Sequence, residues 1–141
     1  MRALGLDIGS VRIGVAVSDP AGSVASPLAV LDARELAGSI RPLARIAEDY
    51  EAEVLVVGLP LTLGGEEGPQ AASVRETATD LAARLGLPLA FVDERNSSAE
   101  AKRAMHAAGL SEREQRGTLD KVAAAIVLQA WLDAERGGVA R

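Results

Sequence analysis

The stretch ALGLDIGSVRIGVAVS, residues 3–18, decides the fold. Over residues 3–9, Leu4, Leu6 and Ile8 alternate with other residues, the period-2 pattern of a strand that turns one face to a core. Gly9-Ser10 supplies a tight turn, and Ile13, Val15 and Val17 alternate through residues 11–18 as the second arm of a hairpin. Asp19-Pro20-Ala21-Gly22 has turn chemistry, because proline fixes φ and glycine accepts positive φ. Residues 24–31 then predict a third strand, assigned to an edge by Pro27, which has no N–H for a ladder.

Beyond the hairpin the apolar period lengthens. Leu36, Ile40, Leu43, Ile46 and Ala47 share one face of a helix over residues 34–51, which Pro42 must either kink or restart. EVLVVGL, residues 53–59, is a continuous apolar run and predicts a strand covered on both faces. A Gly-rich loop at 60–69 follows, with Pro69 suited to the first helical position of a helix that runs to about Leu85 and stops at Gly86. A short strand at 88–92 leads into Asp93-Glu94-Arg95. Helices are expected from about Ser98 to Ala108 and from near Thr118 to about Glu135. Three antiparallel strands followed by right-handed βαβ crossovers predict an α/β architecture. The expectation is one domain over residues 1–141, with a five-stranded mixed sheet and helices on both faces.

Composition narrows the chemistry. The chain has no Cys and one His, so a thiol nucleophile and disulfide stapling are excluded, and structural zinc nearly so. One Phe, one Tyr and one Trp leave the core to Ala, Val, Leu and Ile, and argue against an aromatic platform for single strands. No run approaches the roughly 18 apolar residues of a membrane span, and no signal peptide precedes the first motif. No membrane partner is therefore expected, and the cytoplasm is the expected location. The net charge of −5 is unevenly spread. Arg95, Lys102, Arg103, Arg113, Arg116 and Lys121 cluster within residues 95–121, whereas acidic residues dominate residues 1–94. Such a segment can bind phosphates on an acidic protein, since salt screens charges beyond roughly 10 Å. A solvated helix face fits the same composition.

Three carboxylates stand out by position. Asp7 interrupts the apolar alternation of the first strand, and Glu94 ends the last strand, where open α/β sheets present ligands. Asp120 falls in the first turn of the expected final helix. Each has a local alternative: Asp7 capping the Gly9-Ser10 turn, Glu94 pairing with Arg95, Asp120 favoured by the helix dipole. If the three converge, their mutual repulsion calls for a cation between them. Oxygen donors without Cys or clustered His select Mg²⁺ or Mn²⁺. An ion of that kind acidifies and orients water for phosphodiester hydrolysis.

The segments GLDIGSVRIGVAVSD (5–19), VVGLPLTLGGEEGPQ (56–70), DERNSSAEA (93–101) and LDKVAAAIVLQAWLD (119–133) resemble, in order and spacing, four motifs of the YqgF/RuvX family. The resemblance implies a ribonuclease H-like fold and a Mg²⁺- or Mn²⁺-dependent endonuclease whose catalytic, metal-binding residues are Asp7, Glu94 and Asp120. It implies a nucleic-acid partner of one of two kinds. The preferred one is the 5′ end of pre-16S rRNA in ribosome biogenesis; the other is a four-way Holliday junction in DNA recombination. The second role would call for a two-fold homodimer. The chain departs from the family pattern at Thr62, where Asn is frequent, at Gly64, where Asp is common, and at Asn96-Ser97-Ser98, which replaces the usual Leu-Thr-Thr or Leu-Thr-Ser.

Arg12 and Arg95 are the expected phosphate contacts, since guanidinium grips phosphate oxygens in a fork. Ion pairs between Arg12 and an Asp, or Arg95 and a Glu, are the alternative. Thr62, Lys102, Arg103 and Lys121 complete the expected nucleic-acid-binding set, and Thr62, Gly64 and Gly65 would let backbone approach the substrate. Glu66 and Glu67 are runner-up metal ligands, while His106 reads as a surface or packing residue. Two other functional classes compete. LDIGS also resembles the phosphate-binding hairpin of actin-like ATPases and sugar kinases, which bind nucleotide between two such domains where this length supplies one. A non-catalytic nucleic-acid-binding module would keep the fold without the reaction.

Overall fold

In the computed structural model, which describes residues 1–94, 103 and 112–139, β1 (Ala3–Ile8) and β2 (Arg12–Ser18) form the expected hairpin. The Gly9 N–H donates to the Arg12 carbonyl at 2.9 Å and closes the turn. β3 (Ala25–Asp32) pairs antiparallel with β2, with a register shift beside Pro27, and lies at the sheet edge as its proline requires. β4 (Val54–Leu59) runs parallel to β1, and β5 (Leu89–Asp93) runs parallel to β4. The order β3-β2-β1-β4-β5 is the mixed five-stranded sheet read from the sequence.

The helices bring two corrections. Residues 34–51 form two helices, α1 (Ala33–Gly38) and α2 (Arg41–Asp49). Between them Ser39 is extended, with φ −152°, and Pro42 sits in the first turn of α2, so the proline restarts the helix instead of kinking it. Asp32 starts α1 by accepting a hydrogen bond from the Glu35 N–H at 3.0 Å, a cap worth about 1 kcal/mol. α3 (Pro69–Leu85) begins on its proline and ends where Gly86 takes the left-handed conformation, φ 71°.

The second correction concerns the last helix, α4 (Glu112–Val139), which begins well before Thr118. Residues 112–118, EREQRGT, are polar, so hydrophobic periodicity is silent there, and Gly117 lowers helix propensity by about 1 kcal/mol without ending the helix. Asp120 therefore lies in the interior of α4, beyond the first turn to which the dipole effect is confined. The helix expected over residues 98–108 lies outside the described residues except at Arg103, which is helical.

Alternation sorts the sheet into two packed faces. On one, Leu4, Leu6, Val15, Leu55 and Val57 meet Leu36, Leu43 and Leu81 from α1, α2 and α3. On the other, Ala3, Ala16, Val54 and Val56 meet Ala124, Val127, Leu128 and Leu132 of α4. Three glycines on the central strands, Gly5, Gly14 and Gly58, lie beneath α4. A Cβ at Gly5 would stand 2.7 Å from the Leu128 Cβ, and one at Gly58 would stand 2.8 Å from Val127 Cγ2. A Cβ at Gly14 would overlap the Asp120 carbonyl oxygen. Gln129 fastens the same helix to the β2–β3 connection, accepting from the Ala25 N–H and donating to the Ser23 carbonyl, each at 2.9 Å. Among the described residues no helix is long and apolar enough to cross a membrane.

Gly14→Ala is expected to lower the unfolding free energy by about 2–3 kcal/mol, because the atom it meets is backbone and cannot rotate away. Gly38→Ala, which meets nothing within 4 Å, should be neutral or stabilising by under about 1 kcal/mol. Urea midpoints of the two variants would check the contrast, and equal destabilisation would refute the close-packing account.

Candidate active site

The three carboxylates singled out by the sequence come from elements that the fold brings to one end of the sheet. Asp7, near the C-terminal end of β1, pairs across the hairpin with Gly14. Gly14 in turn lies under the Asp120 carbonyl, which sets α4 at that point on the sheet. Glu94 follows β5, and its N–H donates to the Leu59 carbonyl at the end of β4, at 3.2 Å. Its Oε2 lies over Gly58, in space that any side chain at that position would fill. Asp7, Gly14, Gly58 and Glu94 thus share the α4 face of the sheet.

Asp7 and Glu94 are hydrogen-bonded through their side chains, with Glu94 as the protonated donor and Asp7 as the acceptor. Burial raises the Asp7 carboxyl above its ordinary value; the bond from Glu94 opposes the rise and the Asp120 charge adds to it. Glu94 is pushed up to about 8, first by burial, then by the Asp7 charge, the hydrogen bond to Asp7 and the Asp93 charge. Two carboxyls that share a proton in a partly buried site titrate as one unit. The local alternative for Asp7 does not describe this geometry, because its side chain is engaged with Glu94.

Asp120 stands close enough for its charge to act on Asp7, and its carboxylate is paired with an arginine. Its Oδ2 accepts from Arg12 Nε at 2.8 Å, with the Arg12 side chain 59% exposed and that of Asp120 22% exposed. This is the ion pair weighed as an alternative for Arg12. Among the described residues no group of three or more Asp, Glu, His or Cys side chains is drawn tightly enough together to hold a metal ion. The donor set nevertheless suits a hard divalent cation: a pair of carboxyls that share a proton in place of a cation, a third carboxylate beside them, and only oxygen ligands.

The remaining expected site residues scatter. Lys121 follows Asp120 on α4 and is partly buried, and Arg103 is helical and exposed. Thr62 builds its own loop: its Oγ1 accepts from the Glu66 N–H at 3.1 Å, and its carbonyl accepts from the Gly65 N–H at 2.8 Å. Glu67 is tied to Arg75 at 2.8 Å. Arg95, Lys102 and His106 lie outside the described residues. A cavity of about 870 Å³, bordered by Ser10, Leu36, Ser73 and Thr77, opens on the other face of the sheet and contains none of the three carboxylates.

Sequence reasoning passed over two features of this end of the molecule. Arg75 anchors the 60–68 loop through Glu67 while its guanidinium stacks 4.6 Å over the Phe91 ring. Leu63, at 94% exposure, stands in that loop as an aliphatic side chain in solvent. Only the glycines had a readable signal. Gly14 and Gly58 interrupt strands of β-branched residues, a mark of close backbone approach.

Comparison with known proteins bears on this arrangement. Residues 1–134 match the family described as "RuvX: Holliday junction resolvase". A protein of Anaeromyxobacter sp. (strain K), named "Putative pre-16S rRNA nuclease", is 48% identical over 133 residues, 94% of this chain and 97% of that one. One of Moorella thermoacetica with the same name is 45% identical over 133 residues, 94% and 95% of the two chains. Among solved structures, T. thermophilus RuvC in complex with a Holliday junction substrate matches with a TM-score of 0.60 at 20% identity, over 97% of each chain. The fowlpox virus resolvase bound to Holliday junction DNA matches with a TM-score of 0.57 at 12% identity, over 96% of this chain and 99% of that one. Those two likenesses establish the ribonuclease H-like architecture. With its family match running over residues 1–134 and relatives this similar over nearly their full length, the chain belongs to the RuvX family.

Proposed function

We propose that this chain, acting over its length 1–141 as one ribonuclease H-like domain, is a divalent-metal-dependent endonuclease that processes the 5′ end of pre-16S rRNA. The observation that carries the reading is the proton-sharing Asp7–Glu94 pair, with Asp120 beside it, at the C-terminal end of a parallel sheet segment. The rRNA substrate draws on the relatives of Anaeromyxobacter and Moorella, similar over nearly the whole chain and named for that activity. Such a role belongs in the cytoplasm.

Asp7, Glu94 and Asp120 would hold Mg²⁺ or Mn²⁺. Bound there, the ion would supply a water of lowered pKa and neutralise charge developing on the phosphoryl group. The protein's own share is to bring these oxygens together, to give up the Glu94 proton when it becomes a ligand, and to grip the substrate backbone. Arg12, exposed beside Asp120, is suited to a phosphate oxygen. Arg95, Lys102, Arg103, Lys121 and Thr62 remain the further candidates for backbone contact.

A second reading, resolution of four-way DNA junctions, has its own support in the description of the family. It would need two symmetric cuts and therefore a homodimer.

Cleavage assays separate the two. Wild type should cut a labelled pre-16S 5′ fragment with Mg²⁺ or Mn²⁺ and not with EDTA. Asp7→Asn should lose more than the roughly 10–100-fold typical of removing an outer-shell partner. Cleavage confined to four-way junctions would move the assignment to the second reading, and full activity in Asp7→Asn would remove Asp7 from the site.

A pH-dependent stability also follows. Because Asp7 and Glu94 hold protons more tightly when folded than when unfolded, the metal-free protein is favoured at low pH. The Glu94 contribution is fully present below the ordinary carboxylate range and is lost as pH rises through about 8. Thermal melting in EDTA should therefore fall between pH 5 and about pH 8 and level off above that, once Glu94 is ionised in the folded protein as well. Glu94→Gln should flatten that fall, and added Mn²⁺ should restore wild-type melting at high pH. A wild-type curve parallel to that of Glu94→Gln would contradict the shared-proton description.

A further inference from the structure

The Arg12–Asp120 ion pair does more than decorate the site, because it spans the two functions expected there. Arg12 begins β2 and Asp120 lies in α4, and the two meet across 108 positions of sequence. The contact is made through Nε at 2.8 Å, the edge by which a guanidinium also grips a phosphate. The Arg12 side chain is largely exposed, whereas Asp120 is mostly covered, so the partner with freedom to leave is the arginine. Asp7 feels the Asp120 charge, and yet among the described residues the three carboxylates do not form a metal-holding group. Asp120 takes Arg12 as its side-chain partner among the described residues.

We propose that Arg12 is a positioning residue that holds Asp120 away from the Asp7–Glu94 pair until a substrate phosphate takes the guanidinium. A phosphate at Arg12 then frees the third carboxylate, so substrate and metal favour each other's binding. Any such coupling is reciprocal: what nucleic acid adds to metal affinity, metal adds to nucleic-acid affinity. The free protein would bind metal weakly and would assemble its full ligand set on the substrate. This inference rests on the metal-dependent nuclease reading.

Titration calorimetry with Mn²⁺ alone, at fixed pH, tests it without any cleavage step. Arg12→Gln should bind Mn²⁺ roughly two- to fivefold more tightly than wild type, the span expected from releasing an exposed ion pair. Loss of a nearby positive charge would also favour a cation, so the decisive comparison is with Asp120→Asn. In that background Arg12→Gln should give a clearly smaller gain, because there is no carboxylate left to release and only the lost repulsion remains. A gain of the same size in both backgrounds would reduce Arg12 to simple repulsion and overturn the proposal. Arg12→Lys keeps the charge without the fork and should fall between wild type and Arg12→Gln; unfolding curves would verify that each variant is folded. Unchanged or weaker Mn²⁺ binding in Arg12→Gln overturns the latch alone. Absence of Mn²⁺ binding in every variant overturns both the latch and the metal-dependent reading.

Discussion

Everything at the functional end of this molecule depends on how closely α4 lies on the sheet. An ordinary helix stands off a strand by the depth of two side chains. Here Gly5, Gly14 and Gly58 remove one of those layers, and the helix backbone drops toward β1, β2 and β4. At Gly14 the contact is between the glycine and the Asp120 carbonyl itself, so the strand fixes the height of the residue that carries the third carboxylate. Alanines on the helix complete the approach: Ala123, Ala124 and Ala125 are all buried. With only one Phe, one Tyr and one Trp in the chain, tight packing of small and aliphatic residues takes the place of large aromatic wedges.

The same closeness sets the electrostatics. Asp7 sits on the α4 face of the central strand, partly covered by the helix, and Glu94 leans over the space that Gly58 leaves open. Neither could be charged there without cost beside the other, so they share a proton. A site that stores like charge in this way is destabilising unless something positive relieves it. Arg12 relieves Asp120, from outside, where water can reach it. The Asp7–Glu94 pair has instead an internal proton, which a cation would displace. The architecture thus separates the three carboxylates into a partly buried, hydrogen-bonded pair and an arginine-bound third.

The 60–68 loop is organised by different means. Thr62 and Gly65 close it by local hydrogen bonds, and the Glu67–Arg75 pair ties it to α3, with Arg75 laid over Phe91. This accounts for Thr62 in structural terms, as a side chain that accepts from its own loop backbone. It also leaves Leu63 standing outward from a braced turn. Two expected runner-up ligands sit in that loop, and one of them, Glu67, is spent on the brace.

The sequence by itself determined the strand order of events and the faces. Period-2 alternation in residues 3–18 and the continuous run at 54–59 follow from the geometry of the extended chain, so β1, β2 and β4 were legible. Pro27, Pro42, Pro69 and Gly86 each marked an edge, a start or a stop, because their backbone restrictions act locally. The start of α4 was not legible, since the sequence of residues 112–118 contains no apolar residue at helical spacing and leaves periodicity nothing to report. Asp7, Glu94 and Asp120 could be named as chemically unusual, and the family motifs joined them, but no local rule says which carboxylate meets which. Only the tertiary structure decided that Asp7 bonds to Glu94 while Asp120 turns to Arg12. Those partners lie 87 and 108 positions apart, and their choice depends on through-space charge, burial and the depth of three glycines, none of which is a property of neighbours along the chain.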